Sequence, residues 1–225
     1  MENGITNDIR TRYHVLTLVS QIVLMFDMLV VMKLIERGKL AIPIQAGIIF
    51  QLILLIIVHY LAFVTVRFYL KTSTQVIAYG ILIFGGFLLL NIAGPTNDKS
   101  LYIISNVMLL LAVLVWQYFI IKDIFQENHD LWYSILGAAN IYWLFIVLFG
   151  YCYSLMEIFF PGMLGIQTTN LMEIFNASFR LSVSVMVGMD PPFNNMDEIL
   201  SNFSLFQAAT SNLYIIFVVG RLFSR

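Results

Sequence analysis

Residues 168–200 read TTNLMEIFNASFRLSVSVMVGMDPPFNNMDEIL, and the reading of this stretch decides the fold. Asn170 followed by Glu173 fits a capping box, with Asn170 accepting from a free backbone N–H and Glu173 reaching back. The helix it starts covers roughly 171–183, too short to cross a bilayer, which takes about 20 apolar residues. Small and β-branched residues follow, then Gly188 and Pro191-Pro192, which cannot continue a helix. Asn195 with Glu198 repeats the capping box and opens the next helix. A short helix, an extended return and a proline exit together describe a re-entrant loop. Backbone outside a helix is tolerated at membrane depth only when it is buried in protein or lines a water-filled cavity.

Working outward, the chain of 225 residues is 60% hydrophobic and 11% charged, with a mean hydropathy of +0.88. Soluble domains run at about 45–50% apolar and about 25% charged. This balance excludes an ordinary soluble enzyme, a disordered chain and a nucleic-acid binder. A net charge of -1 leaves no basic footprint for phosphates, and the lone Cys152 excludes a disulfide framework. The apolar runs are long and unbroken rather than alternating, so the predicted class is an all-α integral membrane protein rather than a barrel. Six spans are expected, at roughly Tyr13–Leu34, Ala41–Leu70, Gln75–Ala93, Leu101–Ile121, Leu131–Met156 and Ile199–Phe223. The short polar connections Lys33–Leu40, Lys71–Thr74, Gly94–Ser100 and Lys122–Asp130 make consecutive helices antiparallel neighbours.

The first run follows Arg10 and Arg12, yet it exceeds a signal peptide's apolar core, carries Asp27 and lacks a small-residue cleavage site. It reads as a retained span. Arg10, Arg12, Arg67, Lys71, Lys122, Arg221 and Arg225 fall on one side, against Lys33, Arg37, Lys39, Lys99 and Arg180 on the other. This bias favours both termini in the cytoplasm and the 157–198 segment outside. A multi-pass protein of a bacterial plasma membrane is the expected setting.

The fifth run, the loop and the sixth run resemble the pore domain of potassium channels, especially small bacterial members of the voltage-gated-like superfamily. Their loop commonly reads Ser-Phe, two or three residues, Thr-Thr-Val-Gly-Tyr-Gly-Asp, then proline. Without gaps, Ser178-Phe179 takes the Ser-Phe position and Pro192 the proline. Val183 and Ser184 fall on the threonines, Val185 on valine, Met186 on the first glycine, Val187 on tyrosine and Gly188 on the second glycine. The ending SNLYIIFVVGRLFSR is similar to the family's Gly-Gln-Leu-Tyr…Ala-Arg-Leu, with Leu213, Tyr214, Arg221 and Leu222 matching directly. The resemblance covers about the last 95 residues and implies two parts: a four-helix domain, 1–126, and a channel-like pore domain, 127–225.

That resemblance implies a homotetramer in the lipid bilayer. Ser184, Val185, Met186, Val187 and Gly188 would form the ion path, and the sixth helices, with Ser211 and Tyr214, would line the inner mouth. Family filters coordinate dehydrated potassium through backbone carbonyls, with glycines in left-handed conformation. Met186 in that conformation would cost on the order of 1–2 kcal/mol per subunit, so the expected filter is non-standard. Alternatively, Val187-Gly188-Met189-Asp190 aligns as Val-Gly-Tyr-Asp with one residue deleted. Arg180 lies four residues before Ser184, where some members place a carboxylate. An Arg180–Asp190 pair bracing the loop, an Arg180 that snorkels to the outer vestibule, and a contact with Glu157 are three open readings. Glu157, Glu173, Asp190, Asp197 and Glu198 outnumber Arg180 in the outer segment, a balance that concentrates cations.

Asp27, Gln51, His59, Asn91, Asn106, Trp116, Gln117 and Asn140 lie inside expected spans. Asp27, Asn91 and Asn106 fall at similar depths and suggest a polar cluster, although interhelical hydrogen bonds of about 0.6 kcal/mol are common glue. No span carries a basic residue at every third position, so the first four helices are no evident voltage sensor. No metal spacing, nucleophile motif or phosphate loop is present, and the sequons at Asn176 and Asn202 fall within expected helices. The function expected is passive conduction of a monovalent cation, potassium by the resemblance, with no other cofactor and no enzyme activity. The alternative is a non-conducting membrane protein that keeps the channel-like fold as a partner or assembly subunit.

Overall fold

The computed structural model describes residues 2–31, 34–35, 43–124, 131–189, 193 and 195–223. Every regular element among them is a helix: α1 (Glu2–Phe26), α2 (Ile44–Arg67), α3 (Ser73–Thr96), α4 (Lys99–Ile124), α5 (Leu131–Phe159), α6 (Leu171–Met186) and α7 (Glu198–Phe223). α1 continues into a π-helical turn, Asp27–Val31, and α3 contains another, Ile81–Gly85. Within the described residues, four helices are long and apolar enough to cross a membrane: Ile49–Arg67 of α2, and α3, α4 and α5. α1 and α7 match them in length, 25 and 26 residues, but carry more polar side chains. The protein is therefore a multi-pass helical membrane protein. Leu88, Leu205, Phe206, Ile216 and Phe217 stand exposed on its flanks, as lipid requires and water would not tolerate.

Local chemistry sets the corners. Thr72 and Gln75 close a capping box at the start of α3, with Gln75 N–H donating to Thr72 Oγ1 at 3.2 Å. α3 runs through Pro95 and stops at Asn97, whose left-handed φ of 53° turns the chain into α4. α5 extends to Phe159, three residues past the expected end, because Glu157 accepts from Gly162 N–H and Leu164 N–H, both at 2.7 Å, and folds the following turn beneath itself.

α5 is the axis of the bundle. Other helices bury 56% of its apolar window, against 33% for α3. Lipid tails are as apolar as leucine, so close packing rather than water exclusion holds such helices together. At Gly150 the ring of Phe179 approaches to 2.9 Å of where a Cβ would stand. Phe179 also meets Tyr151 edge-on at 5.1 Å and Phe175 at 4.6 Å.

At the end where α1 and α5 begin, a polar knot joins α1, the α2–α3 corner, α4 and α5. The Tyr69 hydroxyl donates to Asp123 Oδ2 at 2.6 Å, and the Tyr133 hydroxyl donates to the same oxygen. His14 Nε2 lies 3.3 Å from the Tyr133 hydroxyl, and Asn140 Nδ2 donates to His14 O at 2.9 Å. His59, similarly, bonds Leu55 O through Nδ1 and faces Tyr151 through Nε2 at 3.3 Å. Asn140 and His59 are thus interhelical glue. Asp27, Asn91 and Asn106 do not form the suggested cluster: Asn91 is exposed and donates to Phe87 O, whereas Asn106 is buried and donates to Tyr102 O.

Replacing Gly150 with Ala forces Phe179 off α5. Overpacking of this kind costs about 1–3 kcal/mol, and a matching fall in thermal stability is expected in detergent-solubilised protein.

Candidate functional site

α6 starts and ends at different heights of the bundle. Asn170 caps its first turn, accepting from Met172 N–H at 2.9 Å. Glu173 does not reach back to Asn170, as the capping box required. Thr168 intervenes, donating its hydroxyl to Glu173 Oε2 at 2.6 Å and accepting from Asn170 N–H at 3.1 Å. Leu171 N–H donates to Asn97 Oδ1 at 3.3 Å, so α6 begins beside the α3–α4 corner. At its other end Met186 O accepts from the Tyr142 hydroxyl at 3.1 Å. Tyr142 lies about 17 Å along α5 and about 26 Å short of its end, at 1.5 Å per residue. α6 therefore stops inside the height of the bundle.

Past the stop, Asp197 N–H donates to Met163 O at 2.9 Å, so α7 starts at the same end as α6 and runs beside it in the same direction. Asp197 Oδ1 accepts from Ile199 N–H at 2.8 Å, which makes Asp197 the N-cap of α7 in place of Asn195. Glu198 follows in the first turn, where the helix dipole favours an anion. Glu173, Asp197 and Glu198, expected in an outer vestibule, are exposed at this end.

The middle of α6 is stitched to both neighbours. Ser182 Oγ donates to Ile146 O at 2.8 Å. Gln207 Nε2 donates to Ser182 O and Oγ, both at 3.0 Å, and Gln207 Oε1 accepts from the Tyr153 hydroxyl at 2.7 Å. The sequence reading singled out none of these three; the available signal was a glutamine inside an otherwise apolar run.

The end of α6 differs most from expectation. The helix continues to Met186 instead of stopping near residue 183, so Ser184, Val185 and Met186 are helical rather than extended. Gly188 sits at φ 69°, with Gly188 N–H donating to Val185 O at 3.3 Å and Met189 N–H to Ser184 O at 2.9 Å. This pair of bonds around a left-handed glycine is a Schellman stop. Val187 N–H takes Val183 O at 3.1 Å, so the carbonyls of residues 183–186 all have donors. Under the ungapped filter alignment, the carbonyls of 183–186 thus close a helix rather than form an open row. Ser184 and Met186 are buried, while Val187, Gly188 and Met189 are exposed.

The residues expected at the inner mouth both make hydrogen bonds within the chain. Ser211 is buried and donates to Gln207 O, and Tyr214 donates to Ala138 O of α5 at 3.0 Å. Arg180 is half-buried on α6, and Asp190 lies outside the described residues. Glu157, the other candidate partner for Arg180, has its oxygens on Gly162 and Leu164.

Set beside known proteins, the chain matches no family model, no curated protein and no solved structure.

No atom lies within 4 Å of a Cβ placed on Gly188, so a substitution there acts through backbone strain alone. Gly188→Ala is expected to lose about 1–2 kcal/mol and to speed hydrogen exchange in the last turn of α6. Gly188→Asn should lose less.

Proposed function

We propose that this membrane protein is the subunit of a passive cation channel, in which α6 dips into the bilayer from the outer face and the chain returns to that face. One observation carries the reading: Val187, Gly188 and Met189 are exposed while lying within the height of the bundle. Irregular backbone at such a depth needs protein cover or water, and does not face lipid. Copies of the chain meeting around that turn supply both, and the resemblance to potassium channels suggests four. On this reading α1 and α7 complete six spans.

The α6 helices would then aim the negative ends of their dipoles at the shared axis, where they attract a cation. Glu173, Asp197 and Glu198 would enrich cations at the entrance. With the carbonyls of 183–186 taken, what remains of the resemblance is the shorter alignment over Val187-Gly188-Met189-Asp190. Such a path strips little water from an ion and discriminates weakly between potassium and sodium. The Schellman closure of α6 favours a second reading, a non-conducting assembly subunit of the same architecture.

In liposomes, the purified protein is expected to release potassium and sodium at comparable rates and to have the native mass of four 25.8 kDa chains. Glu173→Gln combined with Glu198→Gln should lower flux severalfold at low ionic strength and leave it nearly unchanged at about 1 M salt, where the Debye length is about 3 Å. A verified tetramer without flux supports the second reading. A monomer removes both.

A further inference from the structure

We infer that α7 carries a self-association surface, the exposed stripe Leu205, Ala209, Asn212 and Ile216, on which a second copy of this chain packs with the Asn212 amides hydrogen-bonded to each other. The four residues are spaced four, three and four apart, so they share one side of the helix, and all four are exposed. Ser204, Gln207, Ser211 and Val218 form another stripe, which is buried. Gln207 ties it to Tyr153 of α5 and Ser182 of α6. α7 therefore uses one stripe inside the chain and leaves the other open.

Asn212 lies deep. Hydrogen bonds tie Gln207 to Tyr153 and Tyr214 to Ala138, and both partners sit inside the apolar span α5. Asn212 falls between those two levels, about 21 Å from the start of α7 and about 17 Å from its last described residue, at 1.5 Å per residue. Among the described residues its side chain makes no hydrogen bond. Acyl chains offer an amide neither donor nor acceptor, so leaving one against lipid is costly. Asn91, exposed on α3, meets the same demand by donating to Phe87 O of its own helix. Asn212 has no such bond.

An outward stripe elsewhere in the bundle is built differently. On α4 the same kind of spacing gives Ile104, Val107, Leu111, Leu114, Tyr118 and Ile121, large side chains with no amide among them. The centre of the α7 stripe is instead a small residue and an amide, the pair by which membrane helices approach closely and bond across. The occupant is a second copy because a primary amide is its own complement, holding both donors and an acceptor. Copies related by an axis along the membrane normal present Asn212 to each other at one height. The inference rests on the assembly of copies in the channel reading and not on conduction.

The test is disulfide cross-linking of the full chain in lipid vesicles, with single cysteines in a Cys152→Ser background and copper phenanthroline in air as the oxidant. Bridging needs Cα atoms within about 7 Å. Ala209→Cys and Asn212→Cys should give a reducible dimer severalfold faster than Phe206→Cys and Phe217→Cys, which are exposed on a different side of α7. Separately, energy transfer between labelled copies on dilution with lipid should report an Asn212→Leu dissociation constant weaker by about threefold to twentyfold, with Asn212→Gln close to wild type. Asn212 makes no hydrogen bond inside its own chain, so circular dichroism of Asn212→Leu should match the wild type. Equal cross-linking at all four positions, or Asn212→Leu copies that associate as the wild type does, would overturn the inference and leave the channel reading standing. An Asn212→Cys protein that reacts with a charged thiol reagent but forms no dimer would overturn it too, placing water against this stripe. A monomeric wild type would end both.

Discussion

A helix that ends inside a bundle must find partners for its end groups within the protein or in enclosed water, and α6 finds them within the protein at both ends. Its start is tied to Asn97 and Thr168, and its end is closed by the Schellman bonds around Gly188 and by the Tyr142 hydroxyl. The turn that follows faces outward. A helix that stopped at the surface would raise no such question, because bulk water would finish the work. Stopping within the bundle makes the surroundings of residues 187–189 part of the fold.

The rest of the bundle serves to hold α6 at that height. Gly150 lets Phe179 lie flat against α5, and Ser182, Gln207 and Tyr153 fix the neighbouring helices in register. At the opposite end the knot of Tyr69, Tyr133 and Asp123 joins the α2–α3 corner to α4 and α5, and His14 brings in α1. Buried hydroxyls and amides in an apolar bundle are satisfied by only a few geometries, so they specify register more than they add stability.

The helical class, the membrane setting and the short helix between the last two long ones were legible because run length and hydropathy are properties of local sequence. Helix ends were less so. Asn195 and Asp197 are both good capping residues two positions apart, and only the bond from Asp197 N–H to Met163 O decides between them. The resemblance to a selectivity filter rested on the spacing of Ser178-Phe179, Gly188 and Pro192, but a left-handed glycine serves a Schellman stop as well as a filter. Met186, whose side chain would strain a filter, extends α6 by another residue without cost. Ser211 and Tyr214 were assigned to a pore on helix identity alone, and their side-chain directions depend on how α7 rolls against α5, which no local pattern records. Asp27 was visible from the start as a carboxyl inside a span.

The most direct measurement places a single cysteine at the end of α6, Met189→Cys in a Cys152→Ser background, and probes it in sealed vesicles. A turn that lines an aqueous path reacts with a charged, membrane-impermeant thiol reagent. Reaction with a lipid-soluble reagent alone would put residue 189 against acyl chains and contradict the account.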